Sequence, residues 1–379
     1  LKPNILQVLP ALNTGGVERG TLEIARAIHN ARWNSFVASS GGGMVKKFSY
    51  VGTEHITLPL NSKNPLRMYL NIERLVRLIR EKNISLIHAR SRAPAWSAWY
   101  AAQKTGIPFV TTFHGIYNFN NRLKKHYNSI MTRGDRVIAV SNFTAEHITN
   151  NYHIPADKII TINRGVDLEY FDPRVVSGHR IADLAAKWRI PDDGPLIVAP
   201  GRIVRWKGQI QLVNALAKIK DNTPFFCVLV GNETAHRKYT KELEALILKV
   251  GLGDRVRLVG DCQDMPAAFM LADVVVCPSI EPEAFGRVAV EAQAMAKPVI
   301  AYDHGGFSET VIHGSTGWLV EKGSEDGLAV AIKEALDMPK EAMEEIANSS
   351  ERNAYQNYSI NKMCDAELAI YDELLNRRR

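Results

Sequence analysis

Cysteine is scarce: four residues in 379, Cys227, Cys262, Cys277 and Cys364, with no CxxC pair. Cys227 and Cys277 lie inside the apolar runs FFCVLVG and VVVCPS. Reduced, buried thiols are therefore expected, not a disulfide framework or a zinc site. No run reaches the ~18 apolar residues of a membrane-crossing helix. No leader of charged, then apolar, then small residues is recognisable, and a cytoplasmic protein is expected. GxSxG, HExxH, the P-loop GxxxxGK[ST] and the dinucleotide fingerprint GxGxxG are all absent, which sets aside the chemistries those motifs serve. So is any DxD triplet, the usual clamp for a metal-bound diphosphate.

What is present is ordinary in amount and uneven in arrangement. Apolar residues make up 46% and charged residues 23%, enough for two sizeable cores. Net charge is +7. Residues 1–170 hold 22 Lys and Arg against 10 Asp and Glu, while residues 171–379 hold 25 against 30. A basic half joined to a mildly acidic one points to an anionic partner for the first. No zinc finger, helix-turn-helix or RNA-binding aromatic signature favours nucleic acid. Segment 65–82 sets Arg67, Arg74, Arg77 and Arg80 among Leu and Ile at helical spacing, and RLKKHY (122–127) is a second basic cluster. Both patterns suit a solvated helix face or a surface turned to anionic lipid.

The chain alternates short apolar runs with longer helical patterns. Strands are expected at 4–10, 34–39, 55–60, 84–89, 107–114, 135–141 and 158–162. After a turn-rich stretch (163–174) and an amphipathic segment to about 190, the rhythm restarts at 195–202, 224–231, 255–260, 273–279 and 297–302. Helices are expected to about 28 and at 65–82, 93–104, 207 onward, 235–250, 285–296, 324–337, 340–354 and 361–376. This predicts an α/β protein with two parallel sheets. Ligands of such sheets gather at the carboxyl ends of the strands.

Four places there can carry chemistry. Gly15 and Gly16, in the loop from Asn13 to Gly16, lie between a strand and a helix. They fit an anion at a helix N-terminus, or a tight turn without one. Arg202, after Gly201, ends the first strand of the second half, and Lys207 precedes the next helix; a fork and a point charge so placed can clamp a diphosphate. In EPEAFGR (281–287), Glu283 precedes a helix carrying Glu291, so the two acids meet different parts of an extended ligand. The amides of Phe285, Gly286 and Arg287 would face a phosphate. His114, in Phe113-His114-Gly115, can reach a ligand or serve the core.

Together these residues resemble the retaining nucleotide-sugar glycosyltransferases of family 4, of GT-B fold. The most specific part is EPEAFGRVAVEAQAMAKPVIAYDHGGFSETVIHGSTGWLV (281–320), with its E-x7-E pair; GGVER, FHG, IAVSNFT (138–144), RGVD (164–167) and GR…KG follow in family order. The resemblance implies two Rossmann-like domains with facing parallel sheets and a cleft between them. The acceptor domain would be 1–168, with helix 361–379 packing back on it, and the donor domain 169–360. It implies that Arg202 and Lys207 grip the donor diphosphate, aided by amides near Phe285 and Gly286, and that Gly16 closes from the other domain. Glu291 would hold the ribose, Glu283 and His114 would contact the transferred sugar, and loop 260–265, ending at Met265, would lie near the base. The donor is expected to be UDP- or GDP-linked, with no cofactor and no metal. The acceptor is expected to be a glycan or glycolipid, with an anionic membrane surface as a further partner and lipopolysaccharide core as the product. A same-fold epimerase, a small soluble acceptor and a sugar-binding module are the alternatives. One departure stands out: the family often has Asn-Gly-Val-Asp where this chain has Arg164 before Gly165.

Overall fold

The computed structural model describes residues 2–13, 15–192, 194–232 and 236–377. Thr14 of the glycine loop, Asp193 of PDDG (191–194), a stretch expected to interrupt the chain before 195, position 235 at an expected helix start and positions 378–379 beyond the helix expected at 361–376 lie outside them. The chain forms two compact units, Leu1–Arg164 with Ile360–Arg379, and Gly165–Ser359.

The first unit holds a seven-stranded sheet. Its strands are β1 (Asn4–Val8), β2 (Asn34–Ser39), β3 (Thr53–Thr57), β4 (Leu86–Ala89), β5 (Phe109–Phe113), β6 (Arg136–Ala139) and β7 (Ile159–Thr161). Their order is β3-β2-β1-β4-β5-β6-β7, and every pair is parallel. The second unit holds β8 (Leu196–Pro200), β9 (Phe226–Val230), β10 (Val256–Leu258), β11 (Val274–Cys277), β12 (Val299–Tyr302) and β13 (Gly317–Val320). Their order is β10-β9-β8-β11-β12-β13, again all parallel. The central strands are almost wholly buried, as sheets covered by helices on both faces require.

Strand order reverses once in each sheet, between β1 and β4 and between β8 and β11. Side chains that follow these strands sit at the switch point, where such sheets bind ligands. In the first sheet this gathers Asn13, Gly15, Gly16 and Arg90; in the second, Gly201-Arg202 and the loop after Cys277.

On one face of the first sheet, Ile5, Leu86, Val110 and Ile138 pack with Ile24 and Ile28 of the helix Gly16–Asn30. Met363, Ile370, Tyr371 and Leu374 of the helix Ile360–Asn376 complete this layer. The last helix is also held by buried polar groups. Arg90, fully buried, bonds Glu367 at 2.6 and 2.8 Å and Gln7 at 2.9 and 2.6 Å. His88 is bonded on both ring nitrogens, to Tyr371 at 2.6 Å and Thr112 at 2.8 Å.

Several expected elements shift or split. The strand expected at 55–60 runs from Thr53 to Thr57 and stops short of Pro59, which has no N–H for a ladder. The basic segment 65–82 is the helix Pro65–Glu81, capped by Asn64. Strand β13, absent from the sequence reading, is only four residues long and opens with Gly317.

Candidate active site

The second unit's switch point is built by two loops locked together. Beyond β8 the chain passes Gly201 and Arg202, makes a short turn at Arg205–Lys207 and enters the helix Gln209–Ile219 through Gly208. Gly208 has φ +75°, and a Cβ there would sit 1.7 Å from the Pro278 carbonyl oxygen. Only glycine permits both the backbone angle and the approach. The Ile280 amide donates to the Trp206 carbonyl at 2.8 Å. Thus the cationic loop lies directly against the acidic one that follows β11.

Contact between them is ionic. Lys207 pairs with Glu283, and both side chains are mostly buried. Ser279 donates to the same carboxylate oxygen of Glu283 at 3.1 Å. The Gly306 amide donates to the Glu283 carbonyl at 2.7 Å. His304 Nε2 donates to the Ser279 carbonyl at 2.6 Å, and burial lowers its pKa, so its ring supports the loop rather than adding charge. Trp206 lies beneath the cations, its ring 4.7 Å from Lys207 Nζ and 5.6 Å from the Arg202 guanidinium. Arg202 itself is exposed, while Gln209 donates to its carbonyl at 2.9 Å. Cys277 at the end of β11 is inert, its thiol pushed up to about 12 by burial.

Phe285 is buried and Gly286 caps the helix Arg287–Ala294, whose second turn carries Glu291. Glu291 is 8% exposed, and Arg287 Nε lies 3.2 Å from it. Gln293 anchors this helix, bonding the Thr310 carbonyl at 2.7 Å and receiving Asn353 at 2.7 Å. Met265, half-buried, opens the helix Met265–Leu271. Asp264 caps that helix and takes two bonds from Arg180, at 2.8 and 2.6 Å. Arg180 holds the Asp264 carboxyl below its ordinary range.

Arg202, Lys207, Glu283, Phe285, Gly286, Arg287, Glu291 and Met265 thus all belong to the second unit. Gly15, Gly16 and His114 belong to the first. Gly15 precedes the helix Gly16–Asn30 and offers it no side-chain cap. His114 follows β5. Its Nε2 is buried without a hydrogen-bond partner, and its pKa lies well below the ordinary value because of burial, with Arg164 and Arg90 adding to the effect. The ring is neutral near pH 7 and can accept or donate one bond at that nitrogen. The sequence reading did not single out Ser279, His304 or Trp206. His304 lies within the 281–320 motif and Ser279 two residues before it, so position along the chain was the available signal. Among the described residues, no three or more His, Cys, Asp or Glu converge as metal ligands would, and no helix is long and apolar enough to cross a membrane.

The chain is similar to known proteins along its whole length. Residues 181–355 match the family described as Glycosyl transferases group 1, and residues 14–170 match Glycosyltransferase Family 4. A solved glycosyltransferase from Rickettsia africae ESF-5 is 39% identical with a TM-score of 0.93, covering 99% of each chain. Anabaena HepE in complex with UDP and glucose has a TM-score of 0.85 over 98% of this chain and 99% of its own, at 23% identity, a likeness of fold. A D-inositol 3-phosphate glycosyltransferase of Xylanimonas cellulosilytica is 28% identical over 308 residues, 77% of this chain and 73% of the relative. With both halves matched and a 39%-identical glycosyltransferase aligned end to end, the chain belongs to the group 1, family 4 glycosyltransferases and has their GT-B fold.

Proposed function

We propose that the protein moves a hexosyl group from a nucleotide diphosphate, UDP before GDP, to an acceptor hydroxyl with retention of anomeric configuration and without a metal ion. The observation that carries this reading is the Lys207–Glu283 pair beside Arg202 at the switch point of the second sheet. In the reaction, the bond from the anomeric carbon to the phosphate oxygen breaks and its electrons stay on the diphosphate. The acceptor oxygen bonds to that carbon and its proton leaves to solvent or to the departing phosphate. Negative charge grows on the diphosphate while positive charge grows on the sugar ring. Arg202 and Lys207 oppose the first, with amides at the start of helix Arg287–Ala294. Glu283 opposes the second, and Glu291 holds the ribose. UDP leads because HepE, of the same fold, binds it.

A nucleotide panel tests the donor. UDP at 100 times its Kd raises stability by ~2.7 kcal/mol, read as a shift in Tm, and GDP and ADP give smaller shifts. UDP-glucose turnover then proceeds unchanged in EDTA, and NMR of the product reads the anomeric configuration. Inversion, or a requirement for added metal, overturns those parts of the proposal.

The acceptor in this reading is an anionic glycan or glycolipid, such as lipopolysaccharide core, met at the cytoplasmic face of a membrane. The first unit carries 26 Lys and Arg against 12 Asp and Glu. On its surface Leu66, Tyr69 and Leu123 are 68%, 62% and 83% exposed, beside Arg67, Arg122 and Lys124. Apolar tips among cations suit an anionic lipid surface. Vesicles of anionic phospholipid should therefore float the protein at low salt and release it near 1 M, where the Debye length falls to ~3 Å. No flotation at low salt removes the membrane and leaves the second reading, a small soluble phosphorylated acceptor, which the name of the Xylanimonas relative favours.

A further inference from the structure

Arg164, the residue that departs from the family's Asn, is turned inward and is 7% exposed. A guanidinium keeps its charge in any protein environment, so a permanent cation has left water and must be matched locally. One helix supplies part of that match. Arg164 Nη2 donates to the Gly16 carbonyl at 3.2 Å and lies 3.8 Å from the Glu23 carboxylate. Between these two contacts stands Gly20. A Cβ there would come within 1.8 Å of Nη2 and 2.5 Å of Cζ. The missing side chain at position 20 is therefore the slot that admits the guanidinium.

These contacts fall in the N-terminal half of the helix Gly16–Asn30, the half that begins at the switch point. The N-terminal amides of a helix have no partner within it, and Gly15 supplies no side-chain cap. Arg164 secures this turn through a carbonyl, which leaves its amides available to an anion. Arg164 also acts electrostatically on the His114 ring, adding to the effect of burial, so its charge bears on both first-unit elements expected at the site.

We propose that Arg164 is a positioning residue for sugar transfer: seated in the Gly20 slot, it holds the Gly15–Gly16 turn in the geometry that receives the donor's departing phosphate. This rests on the donor reading above and does not bring Arg164 into contact with the donor.

Three full-length variants test it, Arg164→Ala, Gly20→Ala and the double variant, with UDP binding by calorimetry, UDP-glucose hydrolysis and Tm as readouts. If the panel above selects GDP, GDP and GDP-mannose replace them. Arg164→Ala should lower kcat about 100-fold, the scale of an ångström-sized misplacement, while the nucleotide Kd stays within about twofold because other residues hold the nucleotide. Millimolar guanidinium should restore part of that kcat. Gly20→Ala changes no charge yet displaces the guanidinium, so it should reproduce the loss, and in the double variant it should add nothing. A Gly20→Ala enzyme with wild-type kcat overturns the inference, even if Arg164→Ala fails to fold. So does a loss in which kcat, Kd and Tm fall together. Wild-type protein that neither binds a nucleotide nor hydrolyses its sugar conjugate overturns the donor reading and this inference with it; an active wild type with a silent Gly20→Ala overturns this inference alone.

Discussion

Arg202→Ala should fold normally and turn over the nucleotide sugar about 100- to 1000-fold more slowly, a loss of ~2.7–4 kcal/mol in transition-state stabilisation. The reason lies in where the charge sits. Arg202 is exposed at the end of β8, so its removal opens no cavity and strands no buried partner; its carbonyl contact with Gln209 belongs to the backbone. What is lost is a planar cation where the leaving diphosphate gathers charge. Arg202→Lys should recover only part, since an ammonium cannot make the paired bonds of the fork. Steady-state kinetics with unchanged Tm are the check. Near-normal turnover in the alanine variant would remove Arg202 from the clamp.

Glu283→Gln is the second large effect, and its signature is a split. Turnover should fall by about 100-fold, as when one group that stabilises transition-state charge is removed. Nucleotide affinity should hold or improve. In the free protein Glu283 already neutralises Lys207, so a diphosphate must compete with a carboxylate for that ammonium. A neutral amide releases Lys207 for the phosphate while taking from the sugar ring the negative group that favours its developing charge. Calorimetry with UDP and single-turnover kinetics separate the two parts. If binding and turnover weaken in equal measure, Glu283 is a binding group only.

Much of this architecture is legible in the chain because its cause is local. NILQVLP, DVVVCPS and KPVIAY are nearly continuous apolar runs, and each becomes a central strand. Basic and acidic residues just beyond such runs are legible as site candidates for the same reason, since a parallel sheet collects whatever follows its strands. The unread parts are those whose cause is distant. Strand β13 is four residues with Gly317 at its start, and it is defined by β12: a Cβ on Gly317 would meet the Val299 carbonyl at 1.9 Å. Glycine at the head of a strand reads as a breaker until its neighbour is known. The slot at Gly20 is a similar case. In sequence it is one glycine inside a helical pattern; only Arg164, 144 positions later, gives it a purpose. The His88–Tyr371 and Arg90–Glu367 contacts span 283 and 277 residues, and no periodicity reports on such pairs.

The last of these contacts bears on how the molecule is made. A ribosome releases residues 1–164 long before Glu367 and Tyr371 exist, so the emerging first unit has Arg90 without its carboxylate and an uncovered apolar layer around Ile5, Leu86 and Val110. A buried charge whose partner is missing costs about 3–5 kcal/mol, a large share of a domain's stability. The intervening unit, Gly165–Ser359, is contiguous and can close on its own residues. Birth order and folding order therefore run opposite ways: the first unit is begun before the second, yet it is completed only by a helix that leaves the exit tunnel after the whole second unit has emerged.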